Sequence, residues 1–199
     1  MGKTIKRVLS IDMDYIVSDC IQLYNDLAGC DRMKDGDYWE NVKHERECAK
    51  FLSYDKDRFN LIKELIISNI GHIEDRNILF GQEHDMILNL LCTREDQVDE
   101  IFKLYNIDHH HDIYYGDEQR QKVERFMLTD LANWVHYLGY NHKIYKYYWL
   151  RNETSRQIED NMQETLTYII DQDTLLEHPE KIRKVKFDYI CSDDSVAND

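Results

Sequence analysis

The chain is poor in the residues that interrupt regular structure. It has one proline, Pro179, and seven glycines in 199 residues. That scarcity favours long elements over elaborate loops. The five cysteines, Cys20, Cys30, Cys48, Cys92 and Cys191, are odd in number, far apart and never spaced as CxxC. This excludes a disulfide framework and a thiolate zinc knot, and it suits a reducing, cytoplasmic compartment. No apolar run approaches the ~20 residues of a membrane span. The basic residues near the N-terminus meet Asp12 and Asp14 before any apolar stretch long enough for a signal peptide. Basic charge is also scarce: 25 Lys and Arg stand against 39 Asp and Glu, a net charge of −14. Nucleic acid is therefore a poor partner, because phosphate binding needs clustered Lys and Arg. A cationic substrate, a metal, or plain solubility fits the balance.

What is present reads as one α/β domain over residues 1–199, with a polar tail from about residue 192. The apolar run Ile5–Asp12 predicts a buried strand ending in acid. A helix over Ile16–Leu27, a polar excursion over 28–50 with a helix near Trp39–Phe51, and a helix over Phe59–Ile70 stopped by Gly71 follow. Asn77–Phe80 predicts a short strand and Met86–Cys92 a helix. Ile101–Ile107 predicts a strand, Glu118–Leu138 one long amphipathic helix, and Lys143–Leu150 an aromatic strand. A helix over Ile158–Ile170 and a last strand over Lys184–Cys191 complete the pattern. Strands alternating with helices point to a mostly parallel sheet flanked by helices, whose ligands bind beyond the carboxyl ends of the strands.

Three polar segments sit at such ends: Asp12-Met13-Asp14, Glu83-His84-Asp85 and Asp108-His109-His110-His111-Asp112. In extended chain, Asp108, His110 and Asp112 share one face, and His109 and His111 share the other. Two carboxylates and an imidazole on one face make half of a divalent-metal site. Asp12 and Asp14 offer a second pair, and His84 a sixth donor. An all-O/N set suits Mn²⁺, Fe²⁺ or Mg²⁺, with Zn²⁺ also accommodated. Four carboxylates balance two divalent cations, which would bring the net charge of −14 to −10. Each piece also has a plainer reading. An Asp after a strand often caps the next helix, a lone histidine is usually packing, and the tyrosines around Tyr145–Trp149 are mostly strand-face packing.

Taken together, the three segments resemble the metal motifs of the arginase/deacetylase (ureohydrolase) superfamily. Asp108-x-His110-x-Asp112 resembles its DxHxD motif, Gly81-Gln82-Glu83-His84-Asp85 is similar to its GGDHS segment, and Ser10-Ile11-Asp12-Met13-Asp14 is similar to its SxDxD motif. The chain as a whole is most similar to the small peptide-arginase branch, which Leu131–Trp134 and Phe187–Ile190 also resemble. The resemblance implies a three-layer arginase-like sandwich with two metal ions, Mn²⁺ first among candidates. It implies Asp108 and Asp12 as bridging ligands, His84 and Asp112 completing one metal, and His110 and Asp14 the other. It further implies hydrolysis of an arginine guanidinium, in a peptide or a small guanidino compound, to ornithine and urea by a metal-bridging hydroxide. Asp112 would help stabilise the tetrahedral intermediate, and His109, His111, His136 or His142 would pass the proton to the leaving amine. The motif order departs from ordinary arginases, where the SxDxD strand follows the DxHxD strand. The family's guanidinium-binding glutamate also has no direct counterpart. Asp193 and Asp194 after the last strand, with Glu83, are the substrate-binding candidates. A homo-oligomer is compatible with all of this.

Two other resemblances compete. Asp108-His109-His110 with Asp12 and Asp14 resembles the motifs of DHH-type, Mn-dependent phosphoesterases, in which His84 would be incidental. Asp12-x-Asp14 alone is similar to the Asp-nucleophile phosphatases, which leaves the histidine run without a role. A third alternative is not an enzyme at all: a metal-stabilised binding module for a basic peptide.

Overall fold

The computed structural model describes residues 2–18, 53–81, 84–92, 99–152, 155 and 179–193. Among them, β1 (Thr4–Asp12), β4 (Ile78–Gly81), β5 (Glu100–Ile107), β6 (Ile144–Leu150) and β7 (Tyr189–Asp193) form a five-stranded sheet in the order β4-β7-β1-β5-β6. Every neighbouring pair in it is parallel. A separate two-stranded ribbon joins β2 (Val17–Ser18) to β3 (Ser53–Tyr54). The helices are α1 (Lys56–Asn69), α2 (Ile87–Cys92), α3 (Asp117–Phe126), α4 (Trp134–Tyr140) and the short α5 (Pro179–Ile182).

Side chains alternate across a strand, so each strand feeds two cores. Val8, Phe102, Leu104, Tyr147, Trp149, Tyr189 and Cys191 pack on one face with Ile87, Leu90 and Leu91 of α2 and Trp134, Val135 and Leu138 of α4. Leu9, Ile11, Tyr105, Ile107, Tyr148, Leu150 and Ile190 pack on the other with Leu61, Ile62 and Leu65 of α1, and with Ile182 and Phe187. Helices thus cover both faces of a parallel sheet, as its doubly apolar strands require. None of the described helices is long and apolar enough to cross a membrane.

From central β1 the chain goes on to β4 on one side, beyond β7, and β5 pairs with β1 on the other side. The chain therefore changes direction across the sheet between β1 and β5, and in such sheets the crevice beyond the strand ends is where ligands bind. The first core face changes character along its strands. Val8 is followed by Ser10 and Asp12, Leu104 by Asn106 and Asp108, and Cys191 by Asp193, so apolar packing gives way to polar groups at the carboxyl edge.

Several expected elements differ. Met13–Ile16 is a 3-10 turn followed by β2, not the start of a helix, because Val17 and Ser18 pair with Ser53 and Tyr54. Residues 19–27 and the expected helices at Trp39–Phe51 and Ile158–Ile170 lie outside the described residues. The single helix expected over Glu118–Leu138 is two, α3 and α4. Met127 closes α3 in the left-handed region at φ 54°. Asp130 and Asn133 then turn their side chains onto main-chain N–H groups: Asp130 Oδ1 accepts from Ala132 and Asn133 Oδ1 from Asp130. Such side chains compete with helical hydrogen bonds. The last strand starts later than expected and runs further, to Asp193. Ser192 and Asp193 are therefore buried sheet residues rather than part of a polar tail.

Candidate metal centre

Asp12 ends β1, Asp14 lies in the 3-10 turn behind it, Asp108–Asp112 follows β5, and His84 follows β4. Two sets of donors converge there. Ligand atoms of Asp12, His84 and Asp108 lie within 4.8 Å of one another, and so do those of Asp14, Asp108 and His110. Asp108 belongs to both sets. Asp112 joins the first through its Oδ2, 3.3 Å from His84 Nδ1. All six metal ligands named from the sequence thus meet at one place.

The carboxylates are held by their own loops. Asp12 Oδ1 accepts from the Asp14 N–H (3.0 Å), Asp14 Oδ1 from the His109 N–H (3.2 Å) and Asp108 Oδ1 from the His110 N–H (2.7 Å). Their other oxygens face imidazoles. Asp12 Oδ2 and Asp108 Oδ2 lie 3.5 Å and 3.2 Å from His84 Nδ1, and Asp14 Oδ2 lies 3.0 Å from His110 Nδ1. Around this shell, Asn106 Nδ2 donates to Asp108 Oδ2, Trp149 Nε1 to the Asp108 carbonyl, and Trp134 Nε1 to Asp112 Oδ2. Ser10 Oγ hydrogen-bonds His84 Nε2. That contact directs Nδ1 at the three carboxylates, yet Nδ1 is buried and aligned with none of them for a hydrogen bond.

Burial and crowding control the charges. Burial pushes the Asp12 carboxyl up to about 6, and Asp14 and Asp108 push in the same direction. Burial raises Asp14 as well, and raises Asp112 well above the usual carboxylate range with help from Asp108. For Asp108 burial is outweighed by His110 and His84, which hold it well below that range. Burial would lower both imidazoles, but their carboxylate neighbours, Asp108 first, raise His84 and His110 well above the usual histidine value. Four carboxylates in a dry site are costly unless cations compensate them. Here two imidazoliums compensate part of that charge. An all-O/N donor set with an unaligned, buried imidazole nitrogen suits divalent ions.

The remaining candidates are distributed unevenly. His109 Nδ1 lies 3.0 Å from Asn152 Oδ1, and its ring stands edge-on to His110. Burial, then the His110 charge, lowers its pKa. His111 is buried, stacked on Tyr115, and its Nδ1 accepts from the Ile113 N–H. Burial pushes its pKa down to about 4, which keeps it neutral. His136 lies in α4 against Tyr114, with Nε2 3.3 Å from Glu124. His142 precedes β6, at the opposite edge of the sheet from the ligands. Asp193 is buried on β7 and is the register partner of Asp12 on one side and Gly81 on the other. Glu83 and Asp194 lie outside the described residues.

Sequence reasoning did not single out Ser10 as the group that orients His84, nor Asn106, Trp149 and Asn152. Period-two alternation could have flagged Ser10 and Asn106, since polar residues on an otherwise apolar strand face need a partner. Searches against family models, curated proteins and solved structures find no match to this chain.

Proposed function

We propose that the chain is a dinuclear-metal hydrolase of the arginase-like type, acting on the guanidinium group of an arginine side chain, with a rearranged order of metal motifs in an arginase-like three-layer sandwich. One observation carries this reading. His84 Nδ1 is turned by Ser10 into a pocket of three carboxylates, one of which, Asp108, also serves the second donor set. The rival phosphoesterase reading gives His84 no role.

Asp12, His84, Asp108 and Asp112 would hold one ion, and Asp14, Asp108 and His110 the other, with Mn²⁺ the first choice. The ions, when bound, supply Lewis acidity and lower the pKa of water toward neutrality. The protein's residues do the rest. Net hydrolysis adds water across the bond between the guanidinium carbon and the chain nitrogen. That nitrogen leaves as the amine of ornithine, and the other fragment is urea.

The leaving nitrogen needs a proton, and we assign that step to His109, whose ring stands edge-on to that of His110. Asn152 Nδ2 points at the Tyr15 carbonyl (3.4 Å), which can only accept, so Oδ1 is the atom facing His109. His109 Nδ1 must then donate, and Nε2 is the nitrogen that exchanges the proton. Asp193, next to Asp12 in the sheet, is the carboxylate for the cationic guanidinium, and the acidic balance of the chain favours its approach.

The test is urea and ornithine release from arginine-containing peptides by Mn²⁺-loaded protein. Phosphodiester turnover without urea would favour the phosphoesterase. Two bound ions without turnover on any guanidino substrate would favour a binding module.

A further inference from the structure

The ligands differ in what holds them. Asp12, Asp14 and Asp108 each accept a main-chain N–H from the motif segments themselves. Asp112 is held from outside, by α4. Its Oδ2 accepts from Trp134 Nε1 at 2.7 Å, and its carbonyl accepts from the Val135 N–H at 3.0 Å. Asp112 has φ 51°, in the left-handed region that side chains other than glycine rarely adopt, so the two contacts hold a conformation the loop alone does not favour. Trp134 also lies against the His84 imidazole, with ring centroids 5.2 Å apart. The indole is fully buried, so water does not replace either contact.

We infer that Trp134 is a positioning residue for one metal position and not for the other. It sets Asp112 and His84, which serve with Asp12 and Asp108. It touches neither Asp14 nor His110 among the contacts described. The inference rests on the metal-centre reading and assigns α4 a task that reading does not require. Groups that orient ligands this way change metal affinity by about 10–100-fold when removed. Trp134→Phe keeps most of the ring volume and removes the N–H.

The experiment is a Mn²⁺ titration of chelator-stripped full-length protein, followed by calorimetry and by the electron paramagnetic resonance of free Mn²⁺. Wild type that binds no ion defeats the metal-centre reading itself. With two ions bound by wild type, Trp134→Phe should weaken one affinity by about 10–100-fold and leave the other unchanged. Two unchanged affinities, or two that fall together, overturn the inference and leave the metal-centre reading standing. In an Asp112→Ala background the main contact of the indole N–H is already gone. Trp134→Phe should then cost much less than in wild type, and an equal loss overturns the inference. Should Trp134→Phe not fold, the wild type answers. The Trp134 indole N–H resonance, identified with Trp39→Phe and Trp149→Phe, should shift on adding diamagnetic Zn²⁺, and an unmoved resonance overturns the inference.

Discussion

His84 Nδ1 lies 3.2 Å from Asp108 Oδ2, although the two residues follow different strands, β4 and β5, that two others separate in the sheet. Asp108 Oδ1, on the opposite side of the same carboxylate, lies 3.7 Å from His110 Nδ1. One carboxylate therefore divides its oxygens between two imidazoles and belongs to both donor sets.

Asp108→Asn should abolish binding of both ions, whereas Asp14→Asn should remove only one. Metal stoichiometry after dialysis against Mn²⁺ checks this. Wild type should melt higher with Mn²⁺ than with chelator, because a ligand bound only by the folded state stabilises it. Asp108→Asn should show no such gain. A second ion retained by Asp108→Asn would rule out the bridging role.

The pH dependence should have opposite signs with and without metal. The Asp12 carboxyl is raised to about 6, so its contribution to metal-free stability is present below its unfolded value near 3.8 and is lost as pH rises through about 6. The raised pKa values of Asp14, Asp112, His84 and His110 act in the same direction; the lowered values of His109, His111 and His136 oppose them and are outnumbered. Metal binding requires deprotonated ligands and so strengthens with pH. Melting curves between pH 5 and pH 8 should show metal-free protein losing stability while the gain from Mn²⁺ grows. A gain that does not change with pH would contradict the assignment.

His109→Gln should lower kcat for urea release by about 10²–10⁴-fold, the usual worth of a positioned acid or base. It should leave two Mn²⁺ bound, since His109 offers its ring to Asn152 rather than to the donor sets. Asn152→Ala should lower kcat less, by releasing the ring. Full activity in His109→Gln would move the proton elsewhere.

Asp193→Asn should raise KM for a guanidino substrate with a smaller change in kcat and unchanged metal content. Initial-rate kinetics over a range of substrate concentrations make the separation. A collapse of metal binding would mean that Asp193 belongs to the ligand shell.

The donor residues were legible in the sequence because each depends on a local rule. Acidic and histidine residues after apolar strands, with Asp108, His110 and Asp112 at alternate positions, announce a ligand-bearing edge without knowledge of the pairing. The parallel α/β sheet was legible for the same reason, since its strands are apolar on both faces. The break between α3 and α4 was missed. Helical periodicity continues through Glu118–Leu138, and only the side chains of Asp130 and Asn133, turned onto the main chain, interrupt it.

Residue order alone supplies the inventory: which atoms can bind a cation, and that they stand at strand ends. Which of them meet is a matter of the fold. The order β4-β7-β1-β5-β6 puts His84 beside Asp108 and places Asp193 next to Asp12. The turn before α4 brings Trp134 onto Asp112. The same fold leaves His111, His136 and His142 outside the two donor sets: one is buried and held by its neighbours, one is turned to Glu124, and one lies at the amino end of β6. The reason is physical. Residue type and spacing act over a few positions of chain, whereas the meeting of donors depends on strand order, which many distant apolar contacts set together.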